Sequence, residues 1–310
     1  MRHLPIRIDH QRSGRENNTM STCIVVGVDG SAQALCAVDW AAAEAGRRRL
    51  PLRIVHIAVR WEYNVAIREP GLEAPRPEAA GLEVLRIAED RARTFASVDV
   101  GCRLGIGPIS ATLLQEAADA ALLVLGSHGT GGFTRLLLGS VSRQIAEHAA
   151  CPVVVVPEKP DVRTGRFGIV VGVDGSEASV DAVGFAFEEA SLRSVGLRAV
   201  HAWAHPAYPR EVRPGRYDTT AVEREGARLL SESLAGWKAK YPDVSVAEEV
   251  IEGVPASVLV DASSDAELLV VGARGRGGFA KLRLGSVSHA VLHHAEGPVA
   301  VVRSLHAKRR

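Results

Sequence analysis

The chain has 310 residues, 46% hydrophobic and 24% charged, a balance typical of a globular protein with room for two domains of ordinary size. Its 37 basic and 36 acidic residues nearly cancel, which disfavours nucleic acid and anionic membranes as partners. No apolar run is long enough to span a membrane, and the N-terminus lacks the apolar stretch of a signal peptide.

The first 20 residues are polar and rich in arginine, and they contain the only two methionines, Met1 and Met20. We expect residues 1–20 to form a disordered N-terminal extension. Alternatively, translation starts at Met20 and residues 1–19 are absent from the native protein.

From residue 21 onward, short continuous apolar runs alternate with longer segments of helical period, as in βαβ units with a buried parallel sheet. Ser31 is a plausible helix N-cap, Pro108 suits a first helical turn, and Ser140 stands where the last helix of this region should begin. The predicted strands of this half lie near residues 24–28, 52–58, 98–104, 122–126 and 153–156.

The second half of the chain repeats the first. The segment "IVVGVDGSAQALCAVDWAAAEA" at 24–45 returns as "IVVGVDGSEASVDAVGFAFEEA" at 169–190, and the charged stretch 157–166 between the halves is typical of a linker. We therefore predict two tandem doubly wound α/β domains, residues 21–158 and 166–305, each with a five-stranded parallel sheet. Such sheets bind ligands beyond the carboxyl ends of their strands, where the strand order reverses. The second set of predicted strands lies near 169–173, 197–202, 244–251, 268–272 and 299–302.

A glycine-rich loop follows the fourth predicted strand in each half. Its spacing, G-x2-G-x9-G-S, is formed by Gly126, Gly129, Gly139 and Ser140, and it recurs at Gly272, Gly275, Gly285 and Ser286. A loop of this kind running into a helix N-terminus exposes amide groups to an anion, so it favours phosphate binding. The loop lacks the G-K-[ST] ending of a Walker phosphate-binding loop, and no dinucleotide-binding motif G-x-G-x-x-G follows the first predicted strand. The alternative is that the glycines serve only as turns and helix caps.

These motifs resemble the universal stress protein family, whose ATP-binding members carry G-x2-G-x9-G-[ST], and the tandem arrangement resembles its actinobacterial members. The similarity covers nearly all of residues 21–304. It implies a Rossmann-like, adenine nucleotide alpha hydrolase-like fold, with ATP as ligand and Mg2+ near the aspartate after the first strand. The residues that it implies for the two sites are Asp29, Ile57, Gly126, Gly129, Gly139, Ser140, Val141 and Ser142, and Asp174, Ala202, Gly272, Gly275, Gly285, Ser286, Val287 and Ser288.

Several of these residues admit a structural interpretation as well. Asp29 follows an apolar strand, where it can bind ribose or a metal or can instead cap the next helix. His56 and His201 close apolar strands and are expected to be hydrogen-bonded core residues. Arg274 and Arg276 add two cations to the second loop; turned inward they would strengthen binding of ATP and its salt dependence, and otherwise they face solvent.

We therefore expect an ATP-binding regulator or sensor of the stress response, with no enzymatic activity beyond slow ATP hydrolysis. The alternatives are an ATP-consuming enzyme, for phosphotransfer or adenylation, and an interaction scaffold with empty sites; the sequence has no nucleophile elbow, paired-carboxylate motif or loop lysine to support the enzyme. The resemblance implies a homodimer, an internal pseudo-dimer of the two domains and an unknown regulatory protein partner, and we expect neither nucleic acid nor membrane binding.

The four cysteines, Cys23, Cys36, Cys102 and Cys151, are far apart and form no C-x-x-C pair. This spacing disfavours a metal or dithiol site and predicts small buried side chains in a reducing cytoplasm.

Overall fold

The computed structural model describes residues 22–59, 77–95, 98–129, 138–158, 168–204, 218–276 and 283–304. The chain divides into two compact units between residues 159 and 160. The predicted extension, residues 1–20, and most of the predicted linker, residues 157–166, lie outside the described residues.

The first unit alternates strands and helices. Its elements are β1 (Ile24–Val28), α1 (Ala32–Arg48), β2 (Leu52–Ala58), α2 (Pro77–Phe95), β3 (Val100–Ile106), α3 (Ile109–Glu116), β4 (Leu122–Gly126), α4 (Ser140–His148) and β5 (Val153–Val156). The second unit follows the same order with β6 (Ile169–Gly172), α5 (Glu177–Arg193), β7 (Leu197–Trp203), α6 (Thr219–Lys240), β8 (Val246–Glu252), α7 (Pro255–Ser263), β9 (Leu268–Gly272), α8 (Ser286–His294) and β10 (Val299–Val302).

Each unit contains a parallel sheet whose strand order reverses once. The first has the order β3-β2-β1-β4-β5 and the second β8-β7-β6-β9-β10. Strand β1 is paired with β2 on one side and with β4 on the other, so that Ile24 lies opposite both Leu52 and Leu122. The carboxyl ends of β1 and β4 therefore lie side by side at the reversal, as do those of β6 and β9. The doubly wound α/β fold is confirmed.

The central strands are buried because nearly every residue in them is Val, Ile or Leu, the composition of parallel strands covered on both faces. Helix α1 packs an alanine-rich face on them. It begins as predicted, since Ser31 accepts a hydrogen bond from the amide of Ala34 at 3.1 Å. It ends at Arg49, which adopts a left-handed conformation with φ 53°, and Ser194 ends α5 in the same way with φ 56°.

Two predicted strands are displaced. Strand β3 covers Val100–Ile106 rather than 98–104, and β8 covers Val246–Glu252 rather than 244–251. Both stand at the end of their unit's strand order opposite β5 or β10, and apart from Cys102 their residues are half-buried or exposed. A half-exposed strand has no continuous apolar run, so the apolar pattern does not mark its ends.

Helices α1 and α2 of the first unit contact each other through an ion pair, whereas the corresponding helices α5 and α6 of the second unit contact each other through aromatic rings. Arg91 of α2 donates two hydrogen bonds, of 2.6 and 2.5 Å, to Asp39 of α1. In the second unit Phe187, Trp237 and Tyr241 stack with ring centres 6.0 to 6.4 Å apart.

All four cysteines are free, and three of them are buried. Burial raises the pKa of Cys102 to about 12 and that of Cys151 to about 11, which keeps both thiols protonated and unreactive. Cys36 departs from the prediction because it is only half-buried. Among the helices of the described ranges, none is long and apolar enough to cross a membrane.

Candidate functional site

A cavity of about 540 Å3 opens at the strand reversal of the first unit. A second cavity, of about 430 Å3, lies at the corresponding place in the second unit. All sixteen residues that the sequence predicted for the two sites line these cavities, eight in each. Both volumes fall within the range of about 300–1,000 Å3 that is usual for small-molecule sites.

The N-terminus of α4 forms one wall of the first cavity. Its N-cap is Gly139, and no side chain in the described part of the chain caps the helix. The amides of Ser140, Val141 and Ser142 precede the first residue that can bond back along the helix, so they have no partner within it. The Ser142 hydroxyl donates to the carbonyl oxygen of Gly126 at 2.8 Å, which fixes the helix start to the end of β4. Ser288 repeats this bond to Gly272 at 2.6 Å.

The third glycine of each motif does not offer its amide to phosphate, contrary to the prediction that the loop exposes its amides to an anion. The amide of Gly139 donates to the carbonyl oxygen of Ser127 at 2.7 Å, and the amide of Gly285 donates to Ala273 at 2.8 Å. These two glycines line the cavities, but their amides close the loop on itself and are not available to phosphate.

The first two glycines of each motif make close approaches within the protein, whereas a Cβ on the third, Gly139 or Gly285, would lie no closer than 3.3 Å to a neighbour. A Cβ on Gly126 would lie 2.8 Å from the backbone carbon of Gln33 in α1, and a Cβ on Gly272 would lie 2.8 Å from the corresponding atom of Ala178 in α5. A Cβ on Gly129 would collide with the Asp29 carboxylate. The motif therefore encodes close packing of the loop on the first turn of α1 as well as an open cavity.

The aspartate after the first strand of each unit anchors local backbone. Asp29 accepts a hydrogen bond from the amide of Ser31 at 3.0 Å, and the side chain that caps α1 is Ser31 rather than Asp29. Asp174 accepts from the amide of Ser176 at 3.0 Å through one oxygen, and from the amide of Arg276 at 3.0 Å through the other. The second bond joins β6 to the loop after β9.

A metal would find few protein ligands in either cavity. Within the described ranges, no group of three or more His, Cys, Asp or Glu side chains could hold a metal ion. Of the residues that the structure describes, one carboxylate lines each cavity, from Asp29 in the first and from Asp174 in the second. A Mg2+ ion here would take most of its ligands from phosphate oxygens and water, which is its usual mode of binding to nucleotides.

The cavity walls opposite the glycine loops are apolar. Ile57 and Ala202, which the family resemblance implied for the two sites, line them near the ends of β2 and β7. His56 bonds through Nδ1 to the carbonyl oxygen of Val28 at 2.8 Å; a carbonyl can only accept, so Nδ1 carries the proton. His201 makes the same bond to Val173, so both histidines are hydrogen-bonded as predicted, but they are half-buried rather than core residues and His56 lines the first cavity.

Sequence reasoning missed Leu113 of α3 and Leu259 of α7, which line the two cavities. A Cβ on Gly27 would lie 2.9 Å from Leu113, and one on Gly172 would lie 2.8 Å from Leu259. The glycine within each first strand therefore makes room for this leucine. Comparing the two halves of the sequence for a glycine and a leucine that recur together would have identified the pair.

The two cavities differ in charge. Arg274 and Arg276 line the second, where a Cβ on Gly175 would collide with the Arg276 guanidinium. The Arg276 side chain is therefore folded back over the turn between β6 and α5, at the edge of the cavity. In the first cavity His128 stands in the place of Arg274 and shares a 2.9 Å hydrogen bond with the hydroxyl of Ser127.

The comparisons with known proteins agree with this architecture. The model of the universal stress protein family matches residues 20–157 and again residues 168–303. The chain belongs to the universal stress protein family. A universal stress protein of Mycobacterium tuberculosis is 39% identical over 295 residues, which cover 90% of this chain and 96% of that protein.

Two solved universal stress protein structures extend the comparison. One from Archaeoglobus fulgidus has a TM-score of 0.66 at 16% identity and covers 91% of this chain and 96% of its own, a likeness of fold. A universal stress protein in complex with cAMP is 30% identical, with a TM-score of 0.35, and covers 45% of this chain and 98% of its own.

Proposed function

We propose that this universal stress protein binds ATP at two sites, one in each unit, and acts in the cytoplasm as a nucleotide-dependent regulator of the stress response. The observation that carries the proposal is the recurrence of one cavity in both units. Each cavity has a helix start without a side-chain cap on one side and an apolar wall on the other.

The chemistry of the cavity suits the parts of an adenine nucleotide. The start of α4 supplies the amides of Ser140, Val141 and Ser142 and the positive end of the helix dipole, which favour phosphate. Ile57 and Leu113 offer apolar surface to a base. Asp29 also lines this cavity, and its carboxylate can accept hydrogen bonds from ribose hydroxyls or bind a Mg2+ ion whose other ligands are phosphate oxygens and water. The second cavity has the same combination of a helix start, an apolar wall and an aspartate.

The lining residues favour binding over catalysis. The titratable side chains that line the first cavity are Asp29, His56 and His128. His56 is already bonded to the backbone of β1. Within the described ranges, no lysine, arginine or second carboxylate lines the first cavity, so no cation stands there to stabilise a leaving phosphate. The second cavity has the cations Arg274 and Arg276, but its one carboxylate among the described residues, Asp174, already accepts backbone amides at both oxygens, which disfavours a role as general base. We therefore propose at most slow hydrolysis of ATP.

We also propose that the two units form an internal pseudo-dimer and that the chain forms a homodimer and contacts a regulatory protein. Support comes from the strand orders, in which β5 and β10 stand last in their own units. A last strand offers backbone groups for pairing. Sedimentation of nucleotide-free and ATP-loaded protein tests this part of the proposal; a monomer under both conditions would contradict the homodimer.

The test of the nucleotide proposal is to purify the full chain without added nucleotide, denature it, and identify and count what is released by chromatography and mass spectrometry. We expect ATP at close to two per chain, or binding of two after addition of Mg-ATP. AMP, cAMP and ADP serve as competitors. If no adenine nucleotide is released and none binds when added, the proposal fails and the interaction scaffold is favoured.

A further inference from the structure

Three histidines lie along α8, the last two of them in its C-terminal turn, and none of them lines the nucleotide cavity. His289 and His293 are four residues apart, and their ring centres are 4.5 Å apart. The His294 ring lies 6.2 Å from that of His293. Residues at this spacing share one face of a helix, so the first two rings are neighbours on the same side of α8. His289 is exposed and His293 half-buried.

The separation of these two rings suits a shared metal ion. Two imidazoles bound to one ion through nitrogen at about 2.1 Å, with an angle of roughly 90 to 110° between them, have ring centres about 4.5 to 5.2 Å apart. The observed 4.5 Å lies at the lower end of that range. At this spacing each imidazole can turn a nitrogen toward one ion held between them.

The corresponding helix of the first unit provides a contrast. Its sequence "SVSRQIAEH" aligns with "SVSHAVLHH" of α8, so Arg143 and Glu147 occupy the positions of His289 and His293. These two residues form an ion pair at 3.1 Å. One unit therefore carries an ion pair where the other carries two imidazoles.

We propose that His289 and His293 form a transition-metal site in the second unit that takes Zn2+, Ni2+ or Cu2+. Imidazole nitrogen is a preferred ligand of these ions, whereas Mg2+ prefers oxygen. Mg2+ bound with a nucleotide at the other end of α8 would therefore not compete. Two protein ligands leave coordination positions for water or an external ligand, so the site is open and exchangeable.

The test uses the full untagged chain and Ni2+ as probe, measured by equilibrium dialysis. The wild type should bind one Ni2+ through this site. The double substitution His289→Arg and His293→Glu transplants the ion pair of α4, and it should weaken that binding by on the order of 10²-fold, since the helix no longer holds a second imidazole in place. Far-UV circular dichroism should be unchanged because the transplanted pair suits the same helix.

The reciprocal variant is the matched control. Arg143→His with Glu147→His in α4 should add a second Ni2+ site per chain. With Cu2+ in place of Ni2+, the electron paramagnetic resonance spectrum of the wild type should show two nitrogen ligands. The proposal is overturned if the wild type takes up no Ni2+, if it binds as strongly after the His289→Arg and His293→Glu exchange, or if the reciprocal variant gains nothing.

Discussion

Exchanging the two arginines of the second loop for their counterparts in the first should weaken ATP binding at the second site and reduce its salt dependence. The counterpart of Arg274 is His128, and Thr130 occupies the position equivalent to Arg276. The variant is therefore Arg274→His with Arg276→Thr. Both arginines line the cavity, and Arg276 lies over the turn that begins α5, so both cations would stand close to the phosphates of a nucleotide bound as proposed.

The expected loss of ATP affinity follows from the solvent exposure of the two arginines. Both arginines are exposed. We therefore assign each arginine–phosphate contact a binding free energy of about 1 kcal/mol, the upper end of the range for exposed ion pairs, and not the larger value of a buried pair. One kcal/mol corresponds to about a fivefold change in Kd, so losing both arginines should weaken binding by roughly 30-fold. Screening shortens the reach of exposed charges to about 8 Å at physiological salt, so the difference should shrink as salt rises.

The assay requires the other site to be silent. Gly126→Leu would do this poorly, since Gly126 contacts the backbone of α1. Ser140→Asp is better because Ser140 is exposed at the first position of α4. A carboxylate there stabilises the helix by about 0.3–1 kcal/mol and repels phosphate. Calorimetric titration with ATP in this background gives the Kd of the second site, and adenosine is the control because it lacks phosphate. Equal Kd values and equal salt dependence with and without the arginines would refute the reasoning.

Three further predictions concern stability and reactivity. Gly126→Ala should lower the free energy of unfolding by about 1–3 kcal/mol, measured with urea, because its Cβ would lie 2.8 Å from the backbone of Gln33; an unchanged midpoint would contradict the proposed contact. Trp237→Ala should cost about 1–2 kcal/mol by the same measurement, because the half-buried Trp237 ring loses its stacking on Phe187, and an unchanged midpoint would show that the stack contributes little. Cys36 should be the first of the four thiols to react with a thiol reagent in the folded protein, and the rate should rise with pH, since burial raises its pKa and the thiolate is the reactive form; faster labelling of a buried cysteine would refute this.

Most of the fold could be predicted from the sequence because its central strands are continuous apolar runs. Strands β1, β2, β4 and β5 lie at the predicted residues. Because the second half of the sequence repeats the first, the strands of the second unit could be predicted from the same apolar pattern. Strands β3 and β8 are displaced by one or two residues, since a half-exposed strand carries no sharp apolar boundary.

The site could be predicted as a set of residues but not as a set of contacts. The motif spacing located Gly126 and Gly139, yet it could not indicate that one packs against α1 and that the amide of the other is already bonded. Leu113 was missed because a leucine in a short helix is indistinguishable in sequence from any core residue. Its contact with Gly27 arises only when α3 folds over β1.

The most direct test of two nucleotide sites is the number of ATP molecules bound per chain, measured by titration calorimetry on four proteins: the wild type, Ser140→Asp, Ser286→Asp and the double variant. Ser286 is the counterpart of Ser140 at the first position of α8. If the chain has two nucleotide sites, the wild type should bind two ATP near micromolar concentration, each single variant one, and the double variant none. No variant should lose thermal stability. Binding that is absent from the wild type, or that survives in the double variant, would contradict the account.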